Sequence, residues 1–129
     1  MKVLLLVCSG EIIASMLADK VKSNGGLYGI KIATQSFSSI KNKKSIEDFN
    51  SYDLLIIWTN VNLDFIKLSK NISYFDGILL TPTIRYILNS IESVVKNTNT
   101  FCEFIDVRNM VTMDGEGILK QIIVMIENK

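Results

Sequence analysis

The sequence predicts an α/β protein: a three-layer domain over residues 1–129 with a parallel sheet, five strands in the order 2-1-3-4-5, and a cysteine-containing phosphate loop after strand one. Three observations lead there. Short strand-like runs alternate with helical patterns along the whole chain, which is the signature of a parallel sheet with crossover helices. The first run, Lys2 to Val7, is apolar without alternation, as expected of a strand covered on both faces. Two other runs, Gly29 to Thr34 (GIKIAT) and Phe101 to Asp106 (FCEFID), alternate apolar with polar and so suit the half-exposed edges, which are then strands two and five.

The elements follow in order. After strand one, Ile13, Met16, Leu17 and Val21 recur at helical spacing, and Asn24-Gly25-Gly26 supplies a stop. Strand two, Gly29 to Thr34, precedes the brief basic stretch Lys41 to Lys44, read as a solvated loop, and one short helical turn over Ser45 to Asn50. Strand three is Asp53 to Trp58 and its helix Asn62 to Lys70; strand four is Gly77 to Thr81. Pro82 stands where proline is tolerated, at the start of a helix running from Thr83 to Lys96. Strand five, Phe101 to Asp106, and a helix from Gly117 to Glu127 close the domain. Right-handed crossovers with these edges give the order 2-1-3-4-5 and a switch point beside strand one.

Composition removes several classes of function. With 14 basic and 13 acidic residues the formal net charge is +1, so there is no electrostatic footprint for nucleic acid or an anionic membrane. No stretch approaches the roughly 20 apolar residues that span a bilayer, and the apolar core of MKVLLLVCSG is too short for a signal peptide. Cys8 and Cys102 are far apart and lack metal-ligand spacing, which argues against a disulfide framework or a zinc site and for a reducing, cytoplasmic setting. There is no histidine, so Cys-His and Ser-His nucleophile pairs are excluded.

The chemistry points to Cys8. It sits at the mouth of a buried strand, where parallel sheets place their ligand crevice, and the segment Cys8 to Ser15 (CSGEIIAS) leads into a helix N-terminus. Backbone N–H groups of Ser9, Gly10, Glu11, Ile12, Ile13, Ala14 and Ser15 are candidates to hold a phosphate, Ser9 and Ser15 adding hydroxyls. A helix N-terminus also lowers a thiol pKa from about 8.5 toward neutrality, which would make Cys8 a nucleophile without histidine. Equally, a cysteine after a run of Leu and Val is often a small buried hydrophobe. Cys102, on an edge strand, reads as a packing residue.

LLLVCSGEIIASMLADKV resembles, without gaps from Cys8 to Val21, the pattern CSAGMSTSLLVEKM of the enzyme IIB component in the lactose/cellobiose branch of the bacterial phosphoenolpyruvate-dependent sugar phosphotransferase system. Ile78 to Ile87 (ILLTPTIRYI) resembles that family's LLGPQVRYM segment, and Phe104 to Leu119 (FIDVRNMVTMDGEGIL) its VIDMRDYGMMNGEKVL segment. The resemblance implies a phosphocarrier. Cys8 would take a phosphoryl group from a phosphohistidine on a IIA protein and pass it to a sugar held by a membrane-embedded IIC transporter, with the loop from Ser9 to Ser15 cradling the thiophosphate and no metal or cofactor.

Two departures accompany the resemblance. Glu11, Ile13 and Ala14 replace the family's Gly, Ser and Thr, and a carboxylate beside a bound dianion costs about 1 kcal/mol or more. Tyr52 to Lys70 reads as an extra strand and helix; set beside strand one, it would bring Trp58, Thr59 and Asn60 to the border of Cys8 and move the Thr81-Pro82-Thr83 segment outward. Arg85 and Tyr86 read as surface and packing residues. These departures support a second expectation, a degenerate IIB-like domain that binds or regulates partner proteins without catalysis. A tyrosine phosphatase would need an arginine where Ala14 stands, and a phosphoaspartate receiver would need an Asp where Trp58 stands.

Overall fold

β1 (Lys2–Cys8) owes its place to its composition: every residue from Val3 to Cys8 is buried, which only a strand covered on both faces allows. In the computed structural model, which describes residues 1–127, four more strands flank it: β2 (Ile32–Ser36), β3 (Leu54–Asn60), β4 (Gly77–Leu80) and β5 (Phe101–Phe104). All pairings are parallel, and the order is β2-β3-β1-β4-β5. Residues 128 and 129 of the expected 1–129 domain lie outside the described residues.

The α/β class, the parallel sheet, its five strands and the two edges agree with expectation. The internal order 2-1-3 is corrected to 2-3-1. Alternation singles out the edges but does not rank the three apolar strands among themselves. β1 and β3 are both seven residues long and pair along their full length, Lys2 with Leu54 through Cys8 with Asn60, whereas β4 offers β1 only four partners. Placing the two longest apolar strands side by side at the centre covers the most apolar surface.

Successive β1 residues point to opposite faces and build two separate cores. Val3, Leu5 and Val7 pack with Leu55, Ile57, Ile78 and Leu80. Over them lie α2 (Lys43–Glu47), α3 (Phe65–Asn71) and α4 (Leu88–Val95), through Ile46, Leu68 and Ile91. Leu4, Leu6 and Cys8 pack on the other face with α1 (Glu11–Ser23) and α6 (Gly115–Glu127), through Leu17, Val21, Ile118 and Ile122. A short helix unforeseen in the sequence, α5 (Val107–Val111), bridges β5 and α6, capped by Asp106 through the N–H of Arg108.

Local chemistry sets the other boundaries. Asn42 caps α2 through the N–H of Ser45, and Asp64 caps α3 through the N–H groups of Ile66 and Lys67, so α3 starts three residues later than its periodicity suggested. Pro82 opens a 3₁₀ segment to Ile87, broken at Ile84, and the α-helix begins only at Leu88. Asn24 ends α1, followed by a 3₁₀ turn from Gly25 to Tyr28 whose C-cap, Gly29, has φ of 65°, the left-handed conformation that favours glycine.

The order of elements also fixes where a crevice opens. The chain leaves β1 toward the α1/α6 face, but leaves both of its neighbours, β3 and β4, toward the opposite face. Such a divergence is a topological switch point, and here it lies at the carboxyl end of β1 on both sides.

Candidate functional site

Cys8 is the last residue of β1, and only Ser9 and Gly10 separate it from α1. Gly10 is the N-cap, with extended φ of −142° and ψ of 156° and no side-chain cap. The first helical hydrogen bond runs from the Ala14 N–H to the Gly10 carbonyl at 3.1 Å. The N–H groups of Gly10, Glu11, Ile12 and Ile13 therefore have no partner within the helix and open toward the loop, where the helix dipole adds partial positive charge. Glu11 occupies this first turn without a left-handed backbone, so losing the family's glycine introduces no strain.

Within the segment Ser9 to Ser15, expected to cradle a phosphate, two residues already have partners for their polar groups. Ala14 is fully buried against the α1-side core with its N–H already bonded. Ser15 lies within α1, and its Oγ donates back to the Ile12 carbonyl at 3.0 Å, a local bond that turns the hydroxyl along its own helix. Ser9 and Glu11 are exposed at the mouth, and Ile12 and Ile13 are 76% and 41% exposed, so two large apolar side chains flank the open N–H groups.

The thiol itself is fully buried, among Leu4, Leu6, Ala14 and Leu17. Burial pushes its pKa up to about 12 from an ordinary value of 9.0, because the thiolate would sit in apolar surroundings. Burial thus acts against the lowering toward neutrality expected of the helix terminus, and it favours the protonated thiol. The half-buried Cys102 thiol is pushed up to about 11 by burial, with Glu92 and Glu103 adding to the effect. The small-hydrophobe reading of Cys8 describes its resting environment.

Strands on either side complete the rim. Asn60 is the register partner of Cys8 and closes its own turn by accepting the Asn62 N–H at 2.7 Å. Trp58 and Thr59 precede it, as expected once β3 lies beside β1. The Thr81 segment is not moved outward, however, because β4 holds the other side of β1: Thr81 N–H donates to the Val7 carbonyl at 3.1 Å, and Thr81 Oγ1 bonds Thr83 Oγ1. Arg85 is exposed and stacks 4.6 Å from the Phe104 ring, and Tyr86 is 74% exposed, both in keeping with surface roles. Asn60 stands where the placing of strand three beside strand one puts it, and Thr81 is the rim residue least evident from local pattern.

No family model matches the sequence, and no curated relative matches it either. Among solved structures, the chain is similar to the lactose-specific IIB component domain of the phosphoenolpyruvate:carbohydrate phosphotransferase system from Streptococcus pneumoniae, with a TM-score of 0.62 and 10% identity over 96% of each chain. It is also similar to the cellobiose-specific phosphotransferase IIB component from Borrelia burgdorferi, with a TM-score of 0.59 and 22% identity, over 99% of this chain and 94% of that one. The chain has the fold of a lactose/cellobiose-type IIB domain. At these identities the likeness concerns architecture, so the chemistry of this IIB-like fold rests on its own residues. Among its described residues, no helix is long and apolar enough to cross a membrane, and no group of three or more His, Cys, Asp or Glu could hold a metal ion.

Proposed function

We propose that this chain is a cytoplasmic phosphocarrier of the IIB type, in which Cys8 accepts a phosphoryl group from a phosphohistidine of a IIA protein and passes it to a sugar held by a IIC transporter. The observation that carries this reading is the placement of Cys8 at a switch point, two residues before the open N–H groups of a 13-residue helix. The IIB-like fold supports it, as does the resemblance of the segments around Cys8, Ile78 and Phe104.

The chemistry balances without a histidine in this chain. The Cys8 sulfur attacks phosphorus, the S–P bond forms as the P–N bond breaks, and the thiol proton goes to the departing imidazole nitrogen of the donor. The N–H groups of Gly10 to Ile13 receive the phosphoryl oxygens, and Ile12, Ile13 and the 48% exposed Met16 present an apolar patch to the incoming protein.

A second reading, a non-catalytic partner-binding module, is favoured by one feature: a fully buried, fully protonated Cys8 behind an exposed Glu11. Incubation with phosphoenolpyruvate, the general phosphotransferase proteins and a cognate IIA separates the two. One phosphoryl adduct by intact mass, absent in Cys8→Ser, is expected of the carrier. No adduct in the wild type, with one restored by Glu11→Gly, establishes the binding module.

A further inference from the structure

Only two polar side chains among the described residues are buried, Thr59 and Thr81, and Thr81 is the more deeply placed at 1% exposure. It stands at the end of β4, one residue past the Val7–Leu80 pair, and so neighbours Cys8 across the sheet. Its backbone is extended, with φ of −74° and ψ of 144°. Leu79 and Leu80 alternate between the two cores, which puts Thr81 on the face that carries Cys8. We propose that Thr81, held by Thr83, binds the phosphoryl group on Cys8, its hydroxyl donating to a phosphoryl oxygen from the β4 side. This role rests on the phosphocarrier reading and adds to that site a residue outside the loop between Cys8 and α1.

Packing alone gives no reason for a threonine there. A buried hydroxyl costs free energy that a valine of the same shape would not. Among the described residues, Thr81 Oγ1 bonds only Thr83 Oγ1, at 3.1 Å, and Thr83 is exposed. The pair therefore runs from the buried end of β4 to solvent. When Thr83 donates to Thr81, the Thr81 proton is free to donate in turn, and an anionic phosphoryl oxygen is a strong acceptor for it. Each hydroxyl polarises the next, which strengthens that last bond.

The turn sets both groups in place beforehand. The Ile84 N–H donates to the Thr81 carbonyl at 3.1 Å, and Pro82, between the two threonines, restricts the backbone through its ring. A donor already fixed loses little freedom when the anion arrives. The sequence carries a matching exchange. Against the IIB pattern the Cys8 loop lacks a serine and a threonine, at Ile13 and Ala14, while Thr81 and Thr83 stand where that pattern has Gly and Gln. Two hydroxyls missing from the α1 side thus reappear on the β4 side of the same cysteine.

The threonines transfer no proton. The S–P bond forms as the P–N bond of the donor breaks, the thiol proton leaves with the imidazole, and Thr81 adds one hydrogen bond to the oxygens that carry the charge. Thr83 is a positioning residue that acts through Thr81.

Equilibration of the full chain with stoichiometric phosphorylated IIA protein, read by intact mass, tests this. Thr81→Val should lower the ratio of phosphorylated to free Cys8 roughly tenfold, and Thr81→Ser, which keeps the hydroxyl, should restore most of it. Thr83→Val, at an exposed position that leaves the core intact, should lower the ratio roughly threefold. If Thr81→Val does not fold, Thr83→Val decides: the threefold loss supports the role and an unchanged ratio overturns it. Equal phosphorylation of wild type, Thr81→Val and Thr83→Val overturns it while leaving the carrier reading intact. A loss in Thr81→Ser as large as in Thr81→Val also overturns it, because the effect then belongs to packing. Absence of any adduct in the wild type overturns both readings.

Discussion

Cys8 and Asn60 face each other in register at the carboxyl ends of β1 and β3, on the same face of the sheet. Parallel partners stand about 4.8 Å apart, so the register sets an amide-bearing residue from a strand more than fifty residues away beside the one that carries the thiol. Asn60→Asp keeps the acceptor that closes the turn to Asn62 but adds a negative charge beside the thiol. A like charge raises the thiol pKa further, so alkylation of Cys8 by neutral iodoacetamide at pH 8 should slow roughly fivefold. Faster or unchanged labelling would refute this coupling.

The buried thiol makes stability depend on alkaline pH. Cys8 ionises near 9.0 when exposed and near 12 in the fold, so the folded state holds its proton more tightly. Below pH 9 both states are protonated and the contribution is complete. Between 9 and 12 the unfolded chain gives up the proton and the folded chain does not, so stability falls by up to about 1.4 kcal/mol per pH unit. Urea unfolding of the wild type and Cys8→Ala at pH 8, 9 and 10 should show their difference narrowing as pH rises; a constant difference would contradict it.

Glu11 lies in the first turn of α1, among the N–H groups offered to a phosphoryl group. Glu11→Gln preserves size and removes the charge. Phosphorylation of Cys8 by a IIA donor should then accelerate roughly fivefold, and the gain should shrink at high salt because the carboxylate is exposed. Equal rates would show that Glu11 points away from the dianion.

Gly115 opens α6 directly against α1, where an added Cβ would strike the Lys20 carbonyl. Gly115→Ala is ordinarily favourable in a helix, yet here backbone must move, and a loss of about 1–3 kcal/mol is expected by chemical denaturation. A neutral result would mean that the α1–α6 contact relaxes cheaply.

Asp64 caps α3 with bonds of 2.9 and 3.0 Å to the N–H groups of Ile66 and Lys67. Asp64→Ala should cost about 1 kcal/mol and Asp64→Asn very little, since asparagine caps as well. Similar losses in both variants would assign the effect to charge rather than to the cap.

Much of this architecture was legible in local pattern. The unbroken apolar run of β1, the alternation in β2 and β5, and the helical spacing after Ser9 and Gly10 placed the sheet, its edges and the helix that follows Cys8. Boundaries moved where side chains capped helices, at Asn42 and Asp64, because a cap outweighs a weak periodicity over one turn, and the Asp106 cap opened a helix that periodicity did not show. The open N–H groups at the start of α1 run from Gly10 to Ile13 because the helix begins as early as Glu11 and takes up the Ala14 N–H.

By itself the sequence determined that a thiol would stand at the end of a buried strand with a helix N-terminus behind it, since both depend on neighbours within a few residues. Only the tertiary structure decided that β3 enters between β2 and β1, that Thr81 stays beside β1, and that Cys8 is closed off with its pKa pushed up to about 12. Those outcomes come from pairings between residues distant in the chain. Three equally apolar strands compete for the centre of the sheet, and total packing over both faces selects one order.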